Sequence, residues 1–282
     1  MPDAPFVSSA FLRTLVAHAQ GCGLPVEYLA EQAGIHRAWL EGQHDVPALA
    51  VEQLLYACEE AGAGRRFGCE LVPGMATSSL QGLNILLDSA ATVRASLECF
   101  IRYLPLVTNC VQVSLEASAS TAVLHLRRYR HEPHYYMLDA AVLSLVRNIA
   151  RRAGKPPAQM FSQVRLTRQQ AAGEWLQGWG VATAEGHWPS LYLVPQALDL
   201  PLPGANPFLH QRMLRQCQGT TLADERKDSL QLARHWLAAG DQPIERIAER
   251  LGYRQPSNFI RAFRKQFGVT PKQFRLTGVL AV

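Results

Sequence analysis

The stretch that most restricts what this chain can fold into runs from Gln242 to Arg275. Ile244, Ile247, Ala248 and Leu251 recur at i, i+3, i+4 and i+7, the apolar stripe of a short helix. Pro243 stands near its start, where a missing N–H costs little. Gly252 follows its last apolar residue, where a left-handed position is usual. Pro256 suits the first turn of a second helix, whose inner stripe is Phe259, Phe263 and Phe267. Gly252, Tyr253, Arg254 and Gln255 form the turn between them, and the small Ala248 lets two helix backbones cross closely. Two short helices with a tight turn and a steep crossing make a helix-turn-helix.

The open face of the second helix carries base-reading chemistry. Arg254, Gln255, Ser257, Asn258 and Arg261 lie at its start or on its exposed side. Arg pairs with guanine O6/N7, and Asn or Gln with adenine N6/N7. Arg264, Lys265, Lys272 and Arg275 are placed for phosphates, which position a protein without reading sequence.

At these residues the chain resembles the AraC/XylS family of transcription regulators. Ile247-Ala-Glu-Arg-Leu-Gly-Tyr253, Pro256-Ser-Asn-Phe-Ile-Arg-Ala-Phe-Arg264 and Phe267-Gly-Val-Thr-Pro271 match that family's second helix-turn-helix. The resemblance implies that Ser257, Asn258 and Arg261 face bases. Leu222 to Ala239 looks like the helix that links the family's two helix-turn-helix units. Between Phe208 and Thr221, however, there is only a helix start, Leu209 to Cys217, followed by Gly219-Thr-Thr221. That is too short for a helix-turn-helix. The first unit is therefore expected to be missing, which weakens DNA binding. Its loss also leaves Leu230, Ala233, Trp236 and Leu237 in need of another packing partner.

Charge divides along the chain in the same sense. From Ala205 to Val282 there are 13 Lys/Arg against 6 Asp/Glu, a net of +7 within an overall +5, so the remainder is slightly acidic. A basic C-terminal piece on such a body is the electrostatic footprint of a DNA-binding module. The six cysteines are scattered without a Cys-x-x-Cys pair and read as reduced thiols. No signal-peptide pattern or membrane-length apolar run is present, so a cytoplasmic location and no membrane partner are expected.

The body of the chain mixes helices with antiparallel strands. Helical spacing covers Ser9 to Gln20, Pro25 to Gln32, Val46 to Gly62 and about Ala90 to Leu104, and a loop is expected around Gly68 to Gly82. Alternation at Val111, Val113 and Leu115, and from Val123 to Leu126, makes a hairpin turning at Ser118-Ala-Ser120. Pro133 opens a long helix to about Ala153, and Met160 to Leu166 and Leu191 to Val194 are further strands. The expectation is an α+β domain over residues 1–210, then an all-α helix-turn-helix domain over residues 219–282.

Over about residues 9 to 210 the chain also resembles, more loosely, the arabinose-binding-like sensor and dimerisation domain of AraC regulators that include ornithine-utilisation regulators. The matching points are Arg66-Phe-Gly-Cys-Glu-Leu71, Pro73-Gly74, Ile101-Arg-Tyr103, Trp175-Leu-Gln-Gly-Trp-Gly180, Leu200-Pro-Leu202 and Ala205-Asn-Pro-Phe-Leu209. This implies a small-molecule effector and a homodimer, with RNA polymerase a further candidate partner. The polar side chains expected to converge on an effector are Arg102, Tyr103, His125, Tyr135 and Tyr136.

His131-Glu-Pro-His134 holds metal-ligating atoms, but Pro133 breaks the i, i+4 geometry that a helical site needs. No nucleophile elbow, phosphate loop or dinucleotide fingerprint occurs, so no catalysis, cofactor or metal is expected. The leading reading is an effector-responsive, sequence-specific regulator that binds double-stranded DNA. The alternative is an effector-binding or dimerising interaction protein whose DNA binding is weakened by the missing half of its reader.

Overall fold

A computed structural model describes the chain except at residues 1–3, 42–44, 76–79, 81, 129–132, 239–241, 252, 254 and 278–282. The chain divides into two units, Met1–Leu214 and Arg215–Val282.

The first unit starts with β1 (Phe6–Ser8), α1 (Ser9–Gly21), α2 (Val26–Gln32), β2 (Asp45–Pro47) and α3 (Ala48–Glu60). The Ser8 hydroxyl caps α1 by accepting from the Phe11 N–H. Strands β1 and β2 pair antiparallel, with Val7 opposite Val46. Here the structure corrects the sequence expectation: Val46 and Pro47 are strand, not helix. Proline is no obstacle there, because a sheet of two strands leaves each one a free edge. The stretch expected to be a loop holds α4 (Phe67–Glu70) before its undescribed part, and α5 (Leu83–Asp88) follows. Helix α6 (Val93–Tyr103) is capped by the Thr92 hydroxyl, which accepts from the Ala95 N–H.

The hairpin forms as β3 (Val111–Ala117) and β4 (Ala122–Arg128). Helix α7 (Tyr135–Ala153) follows, then α8 (Pro157–Met160), β5 (Phe161–Leu166), α9 (Gly173–Gly178), β6 (Ala182–Glu185) and β7 (Ser190–Leu193). The larger sheet runs β3-β4-β7-β5-β6, antiparallel except for the parallel pair β5 and β6. A parallel pair needs a crossover, and α9 provides it. Strand β6 was not anticipated, because Ala182 to Glu185 is short and half exposed and carries no apolar alternation.

Helix α7 organises this unit. At its start the His134 ring accepts from the Tyr136 N–H at Nδ1, while Nε2 lies 3.1 Å from Glu59. That pairing fits a neutral ring whose proton sits on Nε2. Burial lowers the His134 pKa, and Glu59 opposes this. Gly68 brings α4 against α7 so closely that a Cβ would strike the Tyr136 backbone. Asp139, fully buried, accepts from the Ala171 and Ala172 N–H groups at 3.0 and 3.1 Å and so holds the start of α9. Burial pushes its carboxyl up to about 6, against the lowering effect of those bonds.

Helix α10 (Pro207–Ala238) begins in the first unit and ends in the second. It joins the expected helix start, Leu209 to Cys217, to the expected linker helix from Leu222, since helix continues through Gly219-Thr-Thr221. Glycine and threonine cost a helix up to roughly 1 kcal/mol each. The good helix formers on both sides and the packing of the distal turns offset that cost. In the second unit, α11 (Ile244–Arg250), α12 (Pro256–Phe267) and α13 (Pro271–Thr277) follow. Leu230, Ala233 and Leu237 of α10 are buried in one cluster with Ile247, Ala248, Phe259, Phe263, Phe267 and Phe274. Trp236 packs against its edge. The apolar face of α10 therefore has the partner it was expected to lack.

Two outcomes follow for stability. Gly68→Ala should destabilise the protein by about 1–3 kcal/mol, because the new methyl meets backbone that cannot yield; urea unfolding reads this. The folded chain holds the Asp139 proton (pKa about 6) more tightly than the unfolded chain does (ordinary value 3.8). Stability from this group should therefore fall as pH rises from about 4 to 6, by about 3 kcal/mol, and then level off. Asp139→Asn should flatten that slope in urea titrations across this range.

Candidate functional site

The exposed face of α12 is built from its first turn. Gln255 is the N-cap residue, in extended conformation, and its side chain makes no capping bond. Pro256 occupies the first helical position, where no N–H is needed. Gln255, Ser257, Asn258 and Arg261 are all exposed. The Arg261 guanidinium donates to the Asn258 Oδ1 at 2.7 Å, so two expected base readers are held together one turn apart. Arg254 lies outside the described residues.

Aromatic packing fixes the opposite face. Phe259, Phe263 and Phe267 are buried, with ring centroids 5.8 and 4.6 Å apart along the row. Gly268 then leaves the helix in the left-handed region (φ 77°). Thr270 and Gln273 form a capping box for α13: the Thr270 N–H donates to the Gln273 Oε1 at 2.9 Å, and the Gln273 N–H donates to the Thr270 Oγ1 at 3.3 Å. Phe274 of α13 reaches the Phe263 ring at 6.0 Å.

The expected phosphate contacts divide into two kinds. Arg264, Lys265 and Lys272 are exposed. Arg275 is half-buried and donates to the Gln242 carbonyl, so part of its guanidinium is used inside the unit.

The first unit contains a cavity of about 180 Å³. One wall is a single face of α7: Met137, Ala141, Ser144, Leu145, Asn148 and Arg152 recur at helical spacing. Phe100 and Leu104 line it from α6 and its continuation, Val113 and Leu126 from the hairpin, and Val7 and Phe11 from the start of the unit. Asn84 of α5 meets Arg152 at one end, where the guanidinium donates to Asn84 Oδ1 at 3.0 Å and to Asp88 at 2.6 Å.

None of the five polar side chains expected to converge on an effector lines this cavity. Arg102 is exposed, with its guanidinium over the Tyr103 ring. Tyr103 is buried, and its hydroxyl has no hydrogen-bond partner. His125 bonds Ser190 across the sheet at 3.2 Å, and its other nitrogen lies 3.4 Å from Glu116. Tyr135 donates to Glu59 at 2.7 Å, and Tyr136 donates to the Ala63 and Gly64 carbonyls. The fold brings Tyr135 and Tyr136 together with His134 and Glu59, around the start of α7. The residues that do line the cavity carry a signal the sequence shows only as a helix stripe, since Asn148 and Arg152 continue the spacing of Met137 and Ala141.

His18 of α1 and Cys22, the residue that caps its C-terminus, stand one turn apart beside Glu70 of α4. Their donor atoms lie within 4.8 Å of one another, with Cys22 Sγ 3.6 Å from His18 Nε2. Nitrogen, sulfur and oxygen donors of this kind are what zinc accepts. The sequence does not signal the group, because Glu70 reaches it only through the fold. Of the metal-like run noted in the sequence, His131 and Glu132 lie outside the described residues, and His134 caps α7.

Comparison with known proteins places names on both parts. Residues 23–177 match the model described as the arabinose-binding domain of AraC transcription regulators, N-terminal. Residues 204–277 match a helix-turn-helix domain model. An uncharacterized HTH-type transcriptional regulator, YtdP of Bacillus subtilis (strain 168), is 46% identical over 44 residues; that stretch is 16% of this chain and spans only 6% of the relative. The crystal structure of the transcriptional regulator CdpR from Pseudomonas aeruginosa is similar at 19% identity, with a TM-score of 0.48, over 82% of this chain and 93% of that one.

Phe263→Ala should cost the second unit about 3–5 kcal/mol, since Phe263 touches the rings on either side of it. Hydrogen exchange on the full chain should then show faster exchange throughout α12 and α13.

Proposed function

The chain belongs to the AraC family of transcription regulators, and we propose that it reads double-stranded DNA with α12 under the control of a small molecule held in its first unit. The observation that carries this reading is the division of α12: a buried phenylalanine row on one side, and Gln255, Ser257, Asn258 and Arg261 exposed on the other. A recognition helix needs an exposed first turn of this kind to reach base edges. Arg264, Lys265 and Lys272 supply phosphate contacts around it.

The effector acts from the cavity of the first unit. For it to regulate, its affinity must differ between two states of the protein. A homodimer would set two such helices about 34 Å apart, one turn of DNA. The protein works in the cytoplasm, where it meets DNA and RNA polymerase; among the described residues, no helix is long and apolar enough to cross a membrane. Catalysis forms no part of this reading.

The unbroken α10 supports a second reading. Helix from Pro207 to Ala238 leaves no room there for the family's first helix-turn-helix. A single reader per chain would bind weakly alone, and the protein would act by pairing or by effector binding.

Fluorescence anisotropy at about 150 mM salt, comparing the DNA upstream of its own gene with unrelated duplex, separates the two readings. Preference for the upstream DNA is expected; equal, weak binding to both would favour the interaction protein. Arg261→Ala should reduce the preference by about 1–3 kcal/mol. An equal loss on both duplexes would remove Arg261 from base reading.

A further inference from the structure

The polar groups around the cavity are mostly engaged with the protein itself. The Thr108 hydroxyl donates to the Phe6 carbonyl at 2.8 Å and accepts from the Cys110 N–H. The Ser144 hydroxyl contacts the Met75 sulfur, and Ser8 caps α1. Arg152 is committed to Asp88 and Asn84. Among the described lining residues one fully buried donor is left over: the Nδ2 of Asn84, a residue only 7% exposed, has no partner. An unmade bond on a buried amide costs about 1–3 kcal/mol. Native structures meet most such groups with a bound water, an ion or a ligand.

Apart from the half-buried amide of Asn148, the rest of the wall is mostly carbon. A pentose would bring a hydroxyl on nearly every carbon, each losing water and finding little in return. A cavity of about 180 Å³ is close to the roughly 150 Å³ of an engineered apolar cavity that stays dry and takes up benzene. The charge at the polar end also has a sign. Arg151 and Arg152 both bond the Asp88 carboxylate, so two cations share one anion beside Asn84.

We propose that the cavity takes a small, largely apolar carboxylate, with its hydrocarbon along the α7 face and one oxygen accepting from Asn84 Nδ2. The inference rests on reading this cavity as the effector site. It departs from the sugar that the description of the matching domain suggests.

Calorimetry on the full chain tests it with four probes: octanoate, octanamide, octylamine and arabinose. Octanoate should bind, and octanamide, which keeps the acceptor without the charge, should bind more weakly. Octylamine and arabinose should give no heat. Asn84→Asp keeps the oxygen that accepts from Arg152 but removes the donor, and should weaken octanoate about tenfold or more. Ala141→Leu fills the cavity far from the polar end and should abolish octanoate binding, so the test survives if Asn84→Asp misfolds. Binding of arabinose instead of octanoate, equal binding of octylamine and octanoate, or octanoate binding untouched by Ala141→Leu would each overturn the proposal. The same preparation is assayed for DNA preference. Preference for upstream DNA without octanoate binding overturns the ligand class and leaves the regulator reading intact. Octanoate binding without DNA preference does the reverse.

Discussion

Helix α7 is the element on which the first unit depends, and its sides do different work. Near its start it takes α4 at Gly68, where only hydrogen fits against the Tyr136 backbone. Asp139 reaches from it to the unpaired N–H groups before α9. A third side, through Met137, Ala141, Leu145 and Arg152, lines the cavity. A ligand in that cavity thus lies against the helix that anchors both α4 and α9. Interiors packed at crystal-like density transmit such a contact rather than absorb it.

In the second unit the governing contact is the phenylalanine row of α12 on the distal turns of α10. Leu230, Ala233 and Leu237 meet Phe259, Phe263 and Phe267 in one core, closed by Phe274. Burying aromatic rings contributes more per residue than any exposed ion pair on the same helices. It also fixes which side of α12 stays open. The exposed Asn258 and Arg261, joined at 2.7 Å, are thereby presented as a pair. Arg275 shows the cost of being near a core: its guanidinium turns inward to the Gln242 carbonyl.

Polar groups in the cavity wall differ in how far the protein itself satisfies them. Those bonded within the protein (Thr108, Ser144, Arg152) stabilise it as it stands. Asn84, with its oxygen bonded and its nitrogen not, is satisfied only in part.

Periodicity alone was sufficient for α1, α3, α6, α7, the β3–β4 hairpin and the pair α11 and α12, because each carries its own apolar stripe and its own stop or start residue. The exposed polar face of α12 was legible for the same reason: Phe259, Phe263 and Phe267 recur every four residues and leave Asn258 and Arg261 on the other side. What depends on partners distant in the chain was not legible. Val46 and Pro47 are strand only because Phe6 to Ser8 pairs with them, and β6 exists only beside β5. Gly219-Thr-Thr221 stays helical and joins two expected helices within α10. The cavity draws its wall from residues as far apart as Val7 and Arg152, while tyrosines that look available, Tyr135 and Tyr136, are bonded to Glu59 and to backbone. Local sequence thus determined which helices form and which face of α12 is polar, since both follow from spacing within a few turns. Where the chain encloses space, and which buried donor there lacks a partner, was decided only by tertiary packing, since both depend on contacts between residues that the sequence keeps far apart.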